Sequence, residues 1–257
     1  MTTLAGKVAV VTGGSQGIGR GIVEAFLDQG AEVVVGSRNA EVGEKLLDEL
    51  DVGERLRFVR TDVTHRHEVE RLVDEAFGLR GRLDIAVLNA GGVRDPAPLV
   101  DMTDEEWTFE MDINLNHVFW GMRATLRRML PQGSGRVINI SSVEGKHGKP
   151  GVAGYVAAKH AVNGMTKAVA KEVGPLGITV NAICPGLVLT SLVERGGGKG
   201  LGLNGLDEVI ELYSREAALQ RPVTIEEVAG LAVFLASDAS SGITGALMPV
   251  DGGTAQY

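Results

Sequence analysis

Short apolar runs alternate with amphipathic stretches from one end of the chain to the other. Within each run the hydrophobicity is nearly continuous, as in strands that helices cover on both faces of a parallel sheet. The pattern therefore predicts about seven buried strands, at Val8–Val11, Glu32–Val35, Leu56–Arg60, Asp84–Leu88, Arg136–Ile140, Thr179–Ile183 and Ala246–Val250.

Between these runs, apolar side chains recur at helical spacing. We predict helices over Ile18–Gln29, Glu41–Leu50, Arg66–Leu79, Asp104–Leu130, Val152–Val173, Leu206–Ala218 and Thr224–Ala236. Strands that alternate with helices indicate right-handed βαβ crossovers, and hence an α/β fold with a doubly wound parallel sheet. A chain of 257 residues is a common length for one such unit, so we expect a single domain over residues 1–257.

The segment 187–221 departs from this alternation because it is rich in glycine. Gly196, Gly197 and Gly198 are followed by Gly200, Gly202 and Gly205. So many glycines do not specify one rigid conformation. We interpret the segment as a lid over a substrate, with a plain glycine-rich loop as the alternative.

Charge and composition narrow the class of function. The net charge of -8 and the lack of a basic run argue against nucleic acid or an anionic membrane as partner. Cys184 is the single cysteine, which excludes an internal disulfide, and the histidines lack metal-ligand spacing, so no metal is expected. No apolar segment is long enough to span a bilayer, and we expect the protein in the cytoplasm.

A glycine-rich turn, Thr12–Gly19, follows the first predicted strand and opens the first predicted helix. Glycine lets the backbone approach a ligand closely, and the unpaired N–H groups of a helix N-terminus attract anions. The glycines at positions 13, 17 and 19 depart by one residue from the GxGxxG pattern. The turn nevertheless predicts a site for the phosphates of a dinucleotide.

This turn resembles the TGxxxGxG motif of the short-chain dehydrogenase/reductase family, and nearly the whole chain shares the resemblance. The other family motifs stand in family order: Asn89-Ala90-Gly91 after the fourth strand, Asn114 in the long helix, Ser142 after the fifth strand, Tyr155 and Lys159 as YxxxK, and Pro185-Gly186 after the sixth strand. The resemblance implies a Rossmann-like domain and an NAD(P)(H)-dependent oxidoreductase that interconverts a secondary alcohol and a ketone.

The resemblance makes Asn114, Ser142, Tyr155 and Lys159 the catalytic set. Tyr155 and Lys159 are four residues apart and share one helix face, so we expect the ammonium to lower the pKa of the phenol, which then serves as general acid and base. Ser142, rather than Ser141, would bind the substrate oxygen. Asn114 would support a water chain from Lys159 to solvent.

For the cofactor we predict NADP(H), with NAD(H) possible, because no carboxylate follows the second strand. Ser37 and Arg38 stand there instead and suit a 2′-phosphate. Asp62 resembles the residue that contacts adenine in the family, with a helix cap as the alternative. The full predicted set is Gly13, Ser15, Gln16, Gly17, Ile18, Gly19, Ser37, Arg38, Asp62, Val63, Asn89, Ala90, Gly91, Tyr155, Lys159, Pro185, Gly186, Val188 and Thr190.

The partners expected from the resemblance are a small carbonyl or alcohol substrate and further copies of the chain, as a homotetramer or a homodimer. A 3-oxoacyl or 3-hydroxyacyl substrate is one option, and the motifs do not distinguish among substrates. Two other functions stay open at this point. One is a catalytically silent sensor of nicotinamide redox state, and the other is a dehydratase or epimerase of the same fold that acts on nucleotide sugars.

Overall fold

A computed structural model describes residues 3–94, 96–191, 193 and 205–255. Seven parallel strands form one sheet in the order β3-β2-β1-β4-β5-β6-β7. This order reverses direction between β1 and β4, which is where ligands bind in doubly wound sheets. The predicted fold class is confirmed. The strands are β1 (Val8–Thr12), β2 (Glu32–Ser37), β3 (Leu56–Arg60), β4 (Ile85–Leu88), β5 (Gly135–Ile140), β6 (Ile178–Pro185) and β7 (Leu247–Val250).

Helices cover both faces of the sheet. They are α1 (Gly17–Asp28), α2 (Ala40–Leu50), α3 (Arg66–Arg80), α4 (Asp104–Met111), α5 (His117–Gln132), α6 (Ala153–Val173), α7 (Leu206–Glu216) and α8 (Ile225–Ala236). Successive side chains of β1 illustrate the two cores, since Val11 packs with α1 and α8 while Val10 packs with α3, α5 and α6. The core therefore lies on both faces of a strand that is buried along its whole length.

The helix predicted over Asp104–Leu130 is interrupted by a π-helical turn at Asp112–Asn116, between α4 and α5. The amide of Asn114 donates to the carbonyl oxygen of Glu110 at 3.1 Å. A side chain that occupies the carbonyl four residues earlier competes with the backbone ladder, which widens the turn. Hydrophobic spacing did not reveal this break because it continues across the turn.

The predicted lid, 187–221, falls partly on residues 192 and 194–204, which lie outside the described residues. The two ends of the segment are joined, because Val223 N donates to Leu187 O at 2.9 Å and Val188 pairs with Val223. Helix α7 lies within it. Among the helices of the described part, none combines the length and apolar character that crossing a bilayer requires.

Candidate active site

A cleft of about 840 Å³ opens where the sheet order reverses. It runs from the glycine turn after β1, past the ends of β4 and β5, to α7. Its wall includes most of the residues predicted for cofactor and catalysis, namely Gly13, Ser15, Gln16, Gly17, Ile18, Gly19, Ser37, Arg38, Val63, Asn89, Ala90, Gly91, Ser142, Tyr155, Lys159, Pro185, Gly186, Val188 and Thr190. Asp62 and Asn114 are not on the wall and are described below.

The glycine turn has a backbone that other residues would not adopt. Gly13 and Gly17 have φ values of +64° and +56°. A Cβ placed on Gly19 would lie 2.3 Å from the carbonyl oxygen of Gly13, so only glycine allows this packing. Helix α1 begins here without a side-chain cap and without an acidic residue in its first turn. Its N–H groups thus fit the negatively charged diphosphate of a dinucleotide.

The end of β4 holds this turn in place. Thr12 Oγ1 accepts from the backbone N–H of Asn89 at 2.9 Å and of Ala90 at 3.1 Å. The side-chain amide of Asn89 donates to the carbonyl oxygens of Thr12 and Gly13 at 2.9 and 3.2 Å. Asn89 therefore supports the turn with its amide group, in addition to lining the cleft.

At the adenosine end of the cleft, Ser15 Oγ donates to Ser37 Oγ at 2.9 Å, and the side chain of Arg38 is exposed beside them. Asp62 points to its own loop, where it accepts from the N–H and the hydroxyl of Thr64 at 3.0 and 2.7 Å. Burial alone would raise the pKa of Asp62, but these bonds hold it below its usual value. This contact is made within the loop and is not a helix cap, because the N-cap residue of α3 is His65.

Lys159 is buried on α6, and its ammonium donates to the carbonyl oxygen of Ile140 at 2.9 Å. Its Nζ lies 5.4 Å from the centre of the Tyr155 ring. Burial lowers the pKa of Lys159 to about 8. The hydroxyl of Ser141 donates to Lys159 O at 3.4 Å, away from Tyr155, so Ser142 is the serine that contacts the phenol.

The expected shift of the Tyr155 pKa is wrong in sign. Burial raises the pKa of Tyr155, the carboxylate of Glu144 raises it further, and the hydroxyl of Ser142 offsets part of the rise. Lys159 does not reverse this, because its ammonium lies over the face of the Tyr155 ring, 5.4 Å from the ring centre, and is not hydrogen-bonded to the phenol oxygen. The phenol is therefore protonated at neutral pH, and its raised pKa makes it a weaker acid than a free phenol.

Asn114 is fully buried behind the cleft. Its Oδ1 accepts from the N–H of Gly92 at 2.9 Å, and its Nδ2 donates to Gly92 O and to Glu110 Oε2 at 2.9 and 2.8 Å. A Cβ on Gly91 would lie 2.7 Å from Asn114 Oδ1 and 3.3 Å from Lys159 Nζ. The loop after β4 thus passes between Asn114 and Lys159, and these contacts make Asn114 a residue that positions this loop.

The strand β6 closes the opposite wall. A Cβ on Gly186 would come within 2.9 Å of the backbone of Asp251, so glycine is required where β6 leaves the sheet. Beyond it, the methyl group of Thr190 would touch a Cβ placed on Gly17, at 3.3 Å. The segment after β6 therefore lies over the glycine turn.

Glu144 and Tyr213 also line the cleft, and neither was predicted from the sequence. Ser142 Oγ donates to Glu144 Oε2, and the hydroxyl of Tyr213, on α7, donates to Glu144 Oε1 at 3.4 Å. A carboxylate two residues beyond Ser142 was visible in the sequence, whereas the approach of Tyr213 was not. Among the described residues, no group of His, Cys, Asp and Glu could hold a metal ion.

The chain belongs to the short-chain dehydrogenase/reductase family. The family model described as enoyl-(acyl carrier protein) reductase matches residues 13–255. Strand order, glycine turn and the cluster of Ser142, Tyr155 and Lys159 had already indicated a dinucleotide-binding protein of this kind.

Relatives extend over the whole chain. A 3-oxoacyl-(acyl-carrier-protein) reductase of Chlamydia muridarum is 39% identical over 254 residues, which are 98% of each chain. A 3-alpha-(or 20-beta)-hydroxysteroid dehydrogenase of Mycobacterium bovis is 41% identical over 251 residues, covering 98% of this chain and 90% of that one. The crystal structure of an actinorhodin polyketide ketoreductase variant with NADPH matches with a TM-score of 0.91, 33% identity and full coverage of both chains.

Proposed function

We propose that this protein is an NAD(P)(H)-dependent oxidoreductase that interconverts a secondary alcohol and a ketone. The observation that carries the proposal is the continuity of the cleft. One wall begins at the glycine turn, which fits a dinucleotide, and ends at Ser142, Tyr155 and Lys159, which suit proton transfer to a carbonyl oxygen. Family membership and the reductases and dehydrogenases among its relatives support the same reaction class.

Each residue of the catalytic set has a distinct role in this proposal. A bound nicotinamide supplies the hydride for the carbonyl carbon. Tyr155, which is protonated at neutral pH, donates its proton to the carbonyl oxygen as the oxygen gains negative charge. Ser142 holds that oxygen next to Tyr155. Lys159 then returns a proton to Tyr155, beside the loop after β4 that Asn114 positions. Oxidation of an alcohol reverses these steps.

The diphosphate of the cofactor would bind at the N-terminus of α1, and its nicotinamide end would lie between Tyr155 and the segment after β6. We propose a preference for NADP(H) because the exposed guanidinium of Arg38 and the hydroxyls of Ser15 and Ser37 suit a 2′-phosphate. NAD(H) lacks this group and would bind more weakly. The Michaelis constants for NADPH and NADH test the preference, and a lower constant for NADH would contradict it.

A panel of ketones with NADPH or NADH, followed by nicotinamide absorbance, tests the reaction class. The panel contains simple ketones, together with 3-oxoacyl thioesters and oxosteroids, which represent the acyl and steroid substrates for which two relatives are named. We expect oxidation of the cofactor that depends on a ketone. Cofactor binding without turnover on any of these ketones would favour the silent redox sensor instead.

We also propose a homotetramer, with a homodimer as the smaller alternative. Exposed aromatic side chains on α4 and α5, Trp107 and Phe119, together with Leu130, support association through these helices. Light scattering at micromolar concentration tests this, and a monomer would contradict it. The single domain with a lid over 187–221 and the cytoplasmic location stay predictions.

A further inference from the structure

Glu144 places a buried carboxylate on the wall of this cleft, next to the proposed reacting groups. Its side chain is buried, with 7% of the residue exposed. Its hydrogen-bond donors in the described part of the chain are two hydroxyls, those of Ser142 and Tyr213. A carboxylate offers about four acceptor positions, so acceptor capacity remains for a ligand in the cleft. Burying a charge is costly unless its hydrogen bonds are made, and a donor on the substrate would be favoured here.

The hydroxyl of Ser142 has one proton, and that proton is given to Glu144. The same hydroxyl contacts Tyr155. Ser142 therefore cannot donate to Glu144 and to a carbonyl oxygen at the same time. If a group on the substrate donates to Glu144, it replaces the serine proton and frees Ser142 to bond the reacting oxygen.

This exchange defines the position of the donor on the substrate. The reacting oxygen lies next to Tyr155 and Ser142, and Glu144 is adjacent to Ser142 on the same wall. The donor must thus be close to the carbonyl group. A hydroxyl on the neighbouring carbon meets this requirement, whereas a carboxylate there would be repelled by Glu144. Other wall residues, Val93, Phe109, Val152 and Val209, are apolar and suit the rest of such a molecule.

We propose that Glu144 determines specificity for a hydroxyl on the carbon next to the reacting carbon. The substrates would be 2-hydroxy ketones in reduction and vicinal diols in oxidation. The proposal rests on the function proposed above, since it specifies what the same oxidoreductase site selects.

Three probes of nearly equal size test the proposal. Hydroxyacetone, butanone and pyruvate share a methyl ketone and carry a hydroxymethyl group, an ethyl group or a carboxylate beside the carbonyl. With the wild-type enzyme we expect kcat/KM for hydroxyacetone to exceed that for butanone at least about tenfold, because a site built around a hydrogen bond discriminates against a substrate that lacks the donor. We expect pyruvate to be the poorest substrate.

Glu144→Gln keeps the shape of the side chain and removes its charge. We expect the preference for hydroxyacetone over butanone to fall to about threefold or less, while kcat/KM for pyruvate rises at least about tenfold. Glu211→Gln is the matched control, because Glu211 is an exposed acid on α7 paired with Arg215. In this variant the preference for hydroxyacetone over butanone and kcat/KM for pyruvate should both stay at wild-type values. A general loss of structure would lower kcat/KM for all three probes. It would not raise kcat/KM for pyruvate while it removes the advantage of hydroxyacetone.

The results separate the two proposals. If no ketone oxidises NADPH or NADH in the wild-type enzyme, the proposed function fails. If the wild-type enzyme reduces butanone and larger ketones but shows no higher kcat/KM for hydroxyacetone than for butanone, only the role of Glu144 is overturned. A preference that persists unchanged in Glu144→Gln also overturns it.

Discussion

The glycine turn after β1 and the substrate wall, defined here as Ser142, Glu144, Tyr155 and Tyr213, lie in one cleft but are stabilised in different ways. The turn is shaped by backbone sterics, since a single Cβ on Gly19 would collide with the oxygen of Gly13. The substrate wall is shaped by the placement of protons among hydroxyls and a carboxylate. A change of volume should therefore disable the first region, and a change of one proton donor should disable the second.

The largest effect is expected from Tyr155→Phe, which removes the proton donor and keeps the ring. We expect kcat to fall by about two to four orders of magnitude, the range of a lost general acid. Affinity for NADPH, measured by fluorescence titration, should change little because the glycine turn is untouched. Near-normal turnover with the cofactor bound would remove Tyr155 from the mechanism.

Gly19→Ala should disrupt the glycine turn after β1. The added methyl group meets backbone atoms that cannot move aside without opening the turn. An overpacked site of this kind costs about 1–3 kcal/mol, so we expect the dissociation constant for NADPH to rise about 5- to 150-fold. Gly78→Ala is the control, because a Cβ there meets open space on α3. Wild-type affinity in Gly19→Ala would show that the turn does not bind the phosphates.

His117, a buried histidine at the start of α5, predicts sensitivity to acid. Burial, reinforced by the charge of Lys159, lowers the pKa of His117 to about 3. The unfolded chain then binds the proton more readily, so the free energy of unfolding decreases as pH falls below about 6.5, by about 2 kcal/mol at pH 5. Denaturant titrations should show a shallower loss between pH 7 and pH 5 in His117→Gln. An equal slope in both proteins would contradict this pKa.

Arg38→Ala is expected to have the smallest effect. It tests whether Arg38 binds the 2′-phosphate at the adenosine end of the cleft. Loss of one charge-assisted hydrogen bond should raise KM for NADPH about tenfold and leave KM for NADH nearly unchanged. The ratio of the two constants is the measurement. A parallel rise in both would indicate that Arg38 supports the turn instead of the 2′-phosphate.

The positions of the strands were predictable from the sequence, most directly where a fully buried strand leaves a nearly continuous apolar run, as in β1 and β4. The motifs also placed most cofactor residues on the cleft wall. Three features were not predictable in this way. The π-turn at Asn114 depends on one side-chain hydrogen bond, and the contact of Tyr213 with Glu144 depends on how α7 packs.

The third feature is the protonation of Tyr155. Its spacing to Lys159 along the helix suggested a lowered pKa, but spacing conveys neither burial nor the nearby charge of Glu144, and both act in the opposite direction. Tyr155 remains the expected proton donor, although its position beside Lys159 does not lower its pKa.

Isotope transfer tests most directly the claim that this cleft joins a nicotinamide to a ketone. The enzyme is incubated with hydroxyacetone and NADPH that carries deuterium at the transferable position of the nicotinamide, and the alcohol is analysed by mass spectrometry and NMR. We expect one deuterium on the new carbinol carbon. An alcohol without deuterium at that carbon, or label that enters from deuterated solvent instead, would contradict direct hydride transfer in this site.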